Sequence, residues 1–140
     1  MNVLVIDGQG GGLGRQLVAA LSAQCPDIRL VAVGTNSVAA QAMHKAGAQR
    51  AATGENAVVV NCRNADIIVG PIGIVIADSL LGEITPAMAA AIGQSRAQKI
   101  LIPINGSPYC RHILVGTQNL PMNEYIHLAA EEAAAYLNHI

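Results

Sequence analysis

A glycine-rich segment near the N-terminus has the residue types and spacing needed to bind an anion. It comprises seven consecutive residues: Gly8, Gln9, Gly10, Gly11, Gly12, Leu13 and Gly14. Glycine permits a tight turn and lets a ligand approach the bare backbone. When such a turn opens a helix, the first helical amides have no partner and lie at the positive end of the dipole. The sequence therefore predicts a phosphate site at this turn.

The elements around the turn place it between a strand and a helix. An apolar run at Val3–Asp7 predicts a buried strand, and Leu13–Gln24 predicts an amphipathic helix. The alternation continues, with further strands predicted at Ile28–Val33, Gln49–Ala52, Ile67–Gly70 and Lys99–Ile104. This pattern predicts one α/β domain over residues 1–140. Its form would be a three-layer, doubly wound, mostly parallel sheet with strand order near 3-2-1-4-5.

Other segments carry more specific expectations. Arg111–Val115 reads as an antiparallel edge strand, because the connection Asn105–Cys110 is too short for a crossover helix. Gly73–Leu81 reads as an apolar helix, and Pro121–Ile140 as a closing helix. Ala57–Cys62 is ambiguous: its valines favour a strand, whereas the crossover at that point requires a short helix.

Polar and glycine-containing segments follow the other predicted strands. Ligands of doubly wound sheets bind beyond the carboxyl ends of the strands, where the strand order reverses. We therefore expect these segments to line one crevice with the glycine turn. The candidates are Thr35, Asn36 and Ser37 after the second strand, Glu55 and Asn56 after the third, Gly70, Pro71 and Gly73 after the fourth, and Asn105–Tyr109 after the fifth.

These candidates have structural interpretations as well. The glycine turn and Gly70–Gly73 could serve backbone geometry alone. Asn36 and Ser37 are residue types that cap helices. Glu55 and Asn56 could belong to a solvated loop. The sequence leaves both interpretations open for each segment.

Acidic side chains near the crevice also have open roles. Asp7 ends the first strand, where a carboxylate repels a phosphate unless it bonds loop amides, a ribose or a cation. Asp78 and Glu83 could act as general acid or base if they face the crevice. Otherwise they would be surface or capping groups.

Composition excludes several functional classes. The net charge is −1 and only 12% of residues are charged, so no basic field attracts nucleic acid or an anionic membrane. With three Tyr and no Phe or Trp, the chain lacks a base-stacking platform. No apolar run is long enough to span a bilayer, and the histidines lack metal-ligand spacing. Scattered cysteines and the lack of a signal peptide predict a cytoplasmic protein with reduced thiols.

The spacing of Gly8, Gly12 and Gly14 resembles the cofactor loop of short-chain dehydrogenases/reductases. That resemblance implies NAD or NADP as the cofactor, with its pyrophosphate on the loop. The chain departs from the family at Asp7 and lacks an acidic residue after the second strand to hold the ribose. It also lacks the catalytic Tyr-x-x-x-Lys pair, because its only lysines are Lys45 and Lys99.

The chain as a whole also resembles a small bacterial family of unknown function. The shared motifs are Ile-Asp-Gly-Gln-Gly-Gly-Gly at Ile6–Gly12, Gly-Thr-Asn at Gly34–Asn36, Ala-Thr-Gly-Glu-Asn at Ala52–Asn56 and Gly-Pro-Ile-Gly at Gly70–Gly73. This resemblance implies a Rossmann-like bacterial protein and supplies no activity.

Together these observations predict a protein that binds a nucleotide or dinucleotide of the NAD(P) type, or another phosphate-bearing small molecule. Its role would be regulatory or partner-dependent rather than that of a complete catalyst. Two alternatives stay open: a small enzyme acting on a phosphorylated or carboxylated metabolite, and a structural oligomer with no ligand at the glycine turn. The low charged fraction and the apolar faces of Gly73–Leu81 and Pro121–Ile140 also predict a homo-oligomer.

Overall fold

The fold is a parallel sheet covered by helices on both faces. The structure is a computed structural model, and it describes residues 1–104 and 110–139. The strands are β1 (Asn2–Asp7), β2 (Arg29–Gly34), β3 (Arg50–Thr53), β4 (Ile67–Pro71) and β5 (Gln98–Ile102). The helices are α1 (Gly12–Gln24), α2 (Ser37–Ala46), α3 (Glu55–Cys62), α4 (Pro86–Gln94) and α5 (Met122–Leu137).

The strand order is β3-β2-β1-β4-β5, and every pairing is parallel. The predicted three-layer, doubly wound architecture is therefore confirmed. The strand register aligns Asp7 with Gly34, and Gly34 with Thr53. The loops that follow β1, β2 and β3 consequently leave the sheet at the same edge, next to the switch in strand order between β1 and β4.

Alternate residues along β1 divide the core into two layers. Val3 and Val5 face the layer that contains α1, α2 and α5, whereas Leu4 and Ile6 face the layer that contains α3 and α4. Both layers consist almost entirely of aliphatic side chains, because a parallel sheet is covered on both faces. No helix within the described residues is long and apolar enough to cross a membrane.

The predicted antiparallel edge strand at Arg111–Val115 is wrong: this segment has no regular secondary structure. Two side chains, from His112 of this segment and from the preceding Cys110, approach the backbone two residues beyond β5. His112 Nε2 lies 2.7 Å from the carbonyl oxygen of Ile104, and Cys110 Sγ lies 3.8 Å from the same atom. The predicted segment Asn105–Tyr109 lies outside the described residues.

The predicted helix at Gly73–Leu81 is also wrong. A short 3-10 helix covers Ile72–Val75, and a series of turns follows it. Asp78, Leu80 and Leu81 have φ values of 65°, 56° and 55°, which no right-handed helix can contain. The ambiguous segment at Ala57–Cys62 proves to be helical and belongs to α3.

Candidate functional site

The Asp7 carboxylate lies inside the glycine turn, not in front of it. Asp7 is the last residue of β1 and is only 5% exposed. Its Oδ2 accepts a hydrogen bond from the Gly14 amide at 2.7 Å, within the first turn of α1. Burial raises the pKa of Asp7, the amides of Gly14 and Gly8 partly oppose this shift, and the charge of Glu83 adds to it. Asp7 thus supports the loop rather than a ligand.

Three glycines of the turn are required by close packing. A Cβ on Gly14 would lie 2.6 Å from Met43 Sδ and 2.7 Å from the Cβ of Asp7. Gly11 has a φ of 71°, and a Cβ there would lie 2.8 Å from the Cα of Ala39. At Gly8 it would lie 2.6 Å from Thr35 Oγ1. These positions therefore need glycine for the fold itself.

Gly10 and Gly12 differ, because the fold does not require their small size. A Cβ on either residue would meet no atom within 4 Å, and neither residue has a positive φ. Gly12 and Leu13 begin α1, and their amides have no hydrogen-bond partner within the described part of the chain. The turn therefore presents free amides beside open space at the positive end of the α1 dipole.

Glu83 joins the glycine turn to the loop after β2. Its Oε1 accepts hydrogen bonds from the Gln9 amide at 3.0 Å, from Thr35 Oγ1 at 2.6 Å and from Asn36 Nδ2 at 2.8 Å. Burial alone would raise the pKa of Glu83, but these hydrogen bonds outweigh burial and lower it. The carboxylate is consequently held as an anion between two loops of the crevice.

Two of the predicted side chains after β2, those of Thr35 and Asn36, make hydrogen bonds within the chain. Asn36 Oδ1 accepts from the Ala39 amide at 2.9 Å and caps α2, and its Nδ2 also contacts the carbonyl oxygen of Gln9 at 2.9 Å. Thr35 donates its hydroxyl to Glu83. Ser37 is exposed at the start of α2. The structural interpretation of Asn36 as a helix cap is confirmed.

The residues after β3 lie at the same edge of the sheet but contact a different element. Glu55 begins α3, and its Oε1 accepts from Thr85 Oγ1 at 2.5 Å. Thr85 in turn caps α4 through the Met88 amide at 3.1 Å. Asn56 is exposed. Glu55 thus links the first turns of α3 and α4 instead of reaching the glycine turn.

The residues at the end of β4 and just beyond it contribute unequally. Gly70 is needed where β4 passes β1, since a Cβ there would lie 2.4 Å from the carbonyl oxygen of Ile6. Pro71 and Gly73 line a cavity of about 560 Å³ together with Gln9 from the glycine turn. This cavity opens at the β1–β4 switch, where doubly wound sheets bind their ligands.

Several residues that line this cavity have unfavourable backbone conformations. Its lining includes all four non-glycine residues with positive φ in the described part of the chain: Gln9, Asp78, Leu80 and Leu81. Such conformations cost about 1–3 kcal/mol each and cluster at functional sites. Arg111 and His112 add a guanidinium and an imidazole group to the lining.

The structure therefore brings together part of the predicted site. Gln9 of the glycine turn, Pro71 and Gly73 line the cavity, whereas Thr35, Asn36 and Glu55 make contacts within the chain. The sequence predicted Glu83 either as an acid or base or as a surface or capping group, and it did not identify Leu80, Arg111 or His112 as lining residues. The only signal for them was their position in the loops after β4 and β5.

The remaining reactive groups do not form a second chemical site. The described residues contain no cluster of three or more His, Cys, Asp or Glu side chains that could hold a metal. Burial raises the pKa of Cys62 to about 11, although the Lys99 cation partly opposes the shift. Burial also raises the pKa of Cys25. A buried thiol with a raised pKa is a poor nucleophile, so Cys62 is not a reactive cysteine.

Comparison with known proteins identifies a family and a similar solved structure. The family described as "Domain of unknown function (DUF3842)" matches residues 2–138. No curated protein matches the sequence. The chain is similar to the crystal structure of a dodecameric FMN-dependent Ubix-like decarboxylase from Escherichia coli O157:H7. The two are 18% identical, the match covers 99% of this chain and 76% of the other, and the TM-score is 0.46.

Proposed function

The chain belongs to the DUF3842 family, and we propose that it binds a nucleotide-type ligand at the glycine turn. The phosphate would accept hydrogen bonds from the amides of Gly12 and Leu13. The ring would enter the cavity of about 560 Å³ beside Gln9. The observation that carries the proposal is the open space at Gly10 and Gly12, where the fold itself would accept larger residues.

Electrostatics supports a phosphate at this position. The first amides of α1 are unpaired within the described residues, and the positive end of the helix dipole adds to their attraction for an anion. The Asp7 carboxylate is turned inward onto Gly14, and Glu83 lies toward β2. Both acids accept hydrogen bonds from the chain itself, and no atom of either lies within 4 Å of a Cβ on Gly12.

A binding role fits this site better than catalysis. The two acids with displaced pKa values, Asp7 and Glu83, are both held by hydrogen bonds from the chain. The Tyr-x-x-x-Lys pair of short-chain reductases is also absent from the sequence. We therefore propose a regulatory or partner-dependent role in the cytoplasm, in which the ligand is sensed or carried.

One observation favours an enzyme as the second candidate. Asp78, Arg111 and His112 line the same cavity, which provides acid, base and cationic groups around one apolar space. These groups would suit a phosphorylated or carboxylated metabolite. Turnover that is lost on His112→Ala substitution, with the nucleotide affinity unchanged, would support this candidate over a pure binding role.

The proposed ligand can be tested on freshly purified protein. Native mass spectrometry should detect a co-purified phosphate compound, and calorimetric titration should detect binding of at least one of AMP, FMN, NAD⁺ and NADP⁺. NAD(P) belongs to this set because of the glycine spacing at Gly8, Gly12 and Gly14. A folded protein that carries no ligand and binds none of these compounds would overturn the proposal and favour the ligand-free oligomer.

We also propose that the protein is a homo-oligomer. Its subunits would contact each other through surfaces other than the apolar faces that the sequence suggested. Ala129 and Ala133 of α5 are buried within the subunit, so most of that helix face is already covered. Ile113 and Val115, which follow β5 in the chain, are instead 84% and 95% exposed. Sedimentation at micromolar concentration should detect a dimer or larger species. A monomer there would contradict the proposal.

A further inference from the structure

The crevice on the carboxyl side of the sheet has two unequal halves. The half between β1 and β4 contains the cavity of about 560 Å³. The half between β1 and β2 is crossed by the loop that connects β4 to α4. There, Glu83 Oε1 reaches Gln9, Thr35 and Asn36 at 2.6–3.0 Å. Leu80 of the same loop also approaches the end of β1, with its Cδ1 3.0 Å from the position of a Cβ on Gly8.

A dinucleotide needs both halves of such a crevice. Its pyrophosphate lies at the helix N-terminus, and its two nucleosides extend to opposite sides of the switch point. A mononucleotide with its phosphate at Gly12 and Leu13 needs only the half between β1 and β4. The Oε1 atom of Glu83, which lies where the second nucleoside would bind, already accepts hydrogen bonds from three donors of the chain.

We infer that Glu83 restricts the site to mononucleotides by filling the half of the crevice that the second nucleoside of a dinucleotide would occupy. This inference rests on the proposed phosphate site. Glu83 is a specificity-determining residue in this role, and it contributes no chemistry. The side chain is fixed rather than mobile, since donors from the glycine turn and from the loop after β2 converge on one oxygen.

The alternative role for Glu83 predicts the opposite effect. An acidic residue near the end of the second strand can accept hydrogen bonds from ribose hydroxyls and so favour a dinucleotide. In that case, shortening Glu83 would weaken dinucleotide binding. If Glu83 instead excludes the second nucleoside, shortening it would create space and strengthen dinucleotide binding.

Matched pairs of probes test this inference. FAD contains FMN, and NAD⁺ contains nicotinamide mononucleotide, so each pair shares a ring and a phosphate and differs by the AMP half. We expect the wild-type protein to bind one mononucleotide at least about tenfold more tightly than its dinucleotide, which is about 1.4 kcal/mol. Glu83→Ala should bring the two affinities to within about threefold, mainly by strengthening dinucleotide binding. Glu83→Gln retains the volume and should retain the wild-type preference.

The outcomes separate the two proposals. If the wild type binds a dinucleotide as tightly as its mononucleotide, or if Glu83→Ala weakens dinucleotide binding, the inference is wrong and the phosphate site stands. If the wild type binds none of the four probes and no AMP, the proposed function fails and the inference fails with it. Circular dichroism and retained mononucleotide binding confirm that Glu83→Ala is folded.

Discussion

The hydroxyl of Thr35 donates to the Oε1 atom of Glu83 at 2.6 Å, which joins the end of β2 to the loop before α4. The two residues are 48 positions apart in sequence. Because the same oxygen also accepts from the Gln9 amide, one carboxylate fixes three segments at the carboxyl edge of the sheet. This contact determines which part of the crevice stays open.

Replacing Glu83 should destabilise the protein in a pH-dependent way. Its pKa is lowered in the folded state, so it stabilises the fold above its ordinary pKa of about 4.3. That contribution disappears as the pH falls through the lower folded value. Glu83→Gln should cost about 1 kcal/mol at pH 7 in urea unfolding, and less below about pH 4. A pH-independent difference would contradict the proposed charge state.

Asp7 should show the opposite pH dependence. Its pKa is raised mainly by burial, so stability is retained while Asp7 is protonated and decreases as the pH rises through the folded value. The Asp7→Asn substitution would keep an acceptor for the Gly14 amide without the buried charge. The stability of the wild type relative to Asp7→Asn should therefore fall as the pH rises above the ordinary carboxyl pKa of about 4. Asp7→Ala should cost about 1–3 kcal/mol, because Gly14 loses its partner.

Gly14 should not tolerate a larger side chain. Gly14→Ala would place a methyl group 2.6 Å from Met43 Sδ and 2.7 Å from the Cβ of Asp7, which forces core atoms to move. Overpacking of this kind costs about 1–3 kcal/mol. Gly93→Ala in α4 is the control, because its methyl group would meet no atom within 4 Å. Thermal unfolding should show a lower Tm for Gly14→Ala only.

Cys62 should resist alkylation in the native protein. With its pKa raised to about 11, fewer than about one thiol in a thousand is ionised at pH 7.5. Its side chain is also buried. Peptide mass spectrometry after iodoacetamide treatment should find Cys62 labelled in urea and unlabelled in buffer. Rapid native labelling of Cys62 would show that its thiol is more accessible than the structure indicates.

The strand order could be predicted because its signals are local. β1, β2 and β4 are short apolar runs, and the glycine turn and Thr85-Pro86 mark the starts of α1 and α4. The loop after β4 could not be predicted in the same way. Its apolar residues suggest a helix, but three of its residues, Asp78, Leu80 and Leu81, adopt positive φ, for which side-chain type gives no signal.

Only the part of the site that consists of consecutive residues could be predicted. The glycine turn is one segment, and its position between a strand and a helix follows from the sequence. The contact of Glu83 with Thr35 depends instead on the path of a loop that crosses the sheet edge. Likewise, no sequence pattern separates Gly14, which packs against Met43, from Gly12, which faces open space.

The affinity of Gly12→Val for nucleotide tests the central claim most directly. A Cβ on Gly12 meets no atom of the protein within 4 Å, so the variant should fold, while its branched side chain would occupy the space in front of the free amides. Calorimetry with AMP and FMN should show at least about a tenfold loss of affinity for the probe that the wild type binds, which is about 1.4 kcal/mol. Gly93→Val, also at an open helical glycine, should bind as the wild type does. Unchanged nucleotide affinity in folded Gly12→Val would show that the phosphate does not bind at this turn.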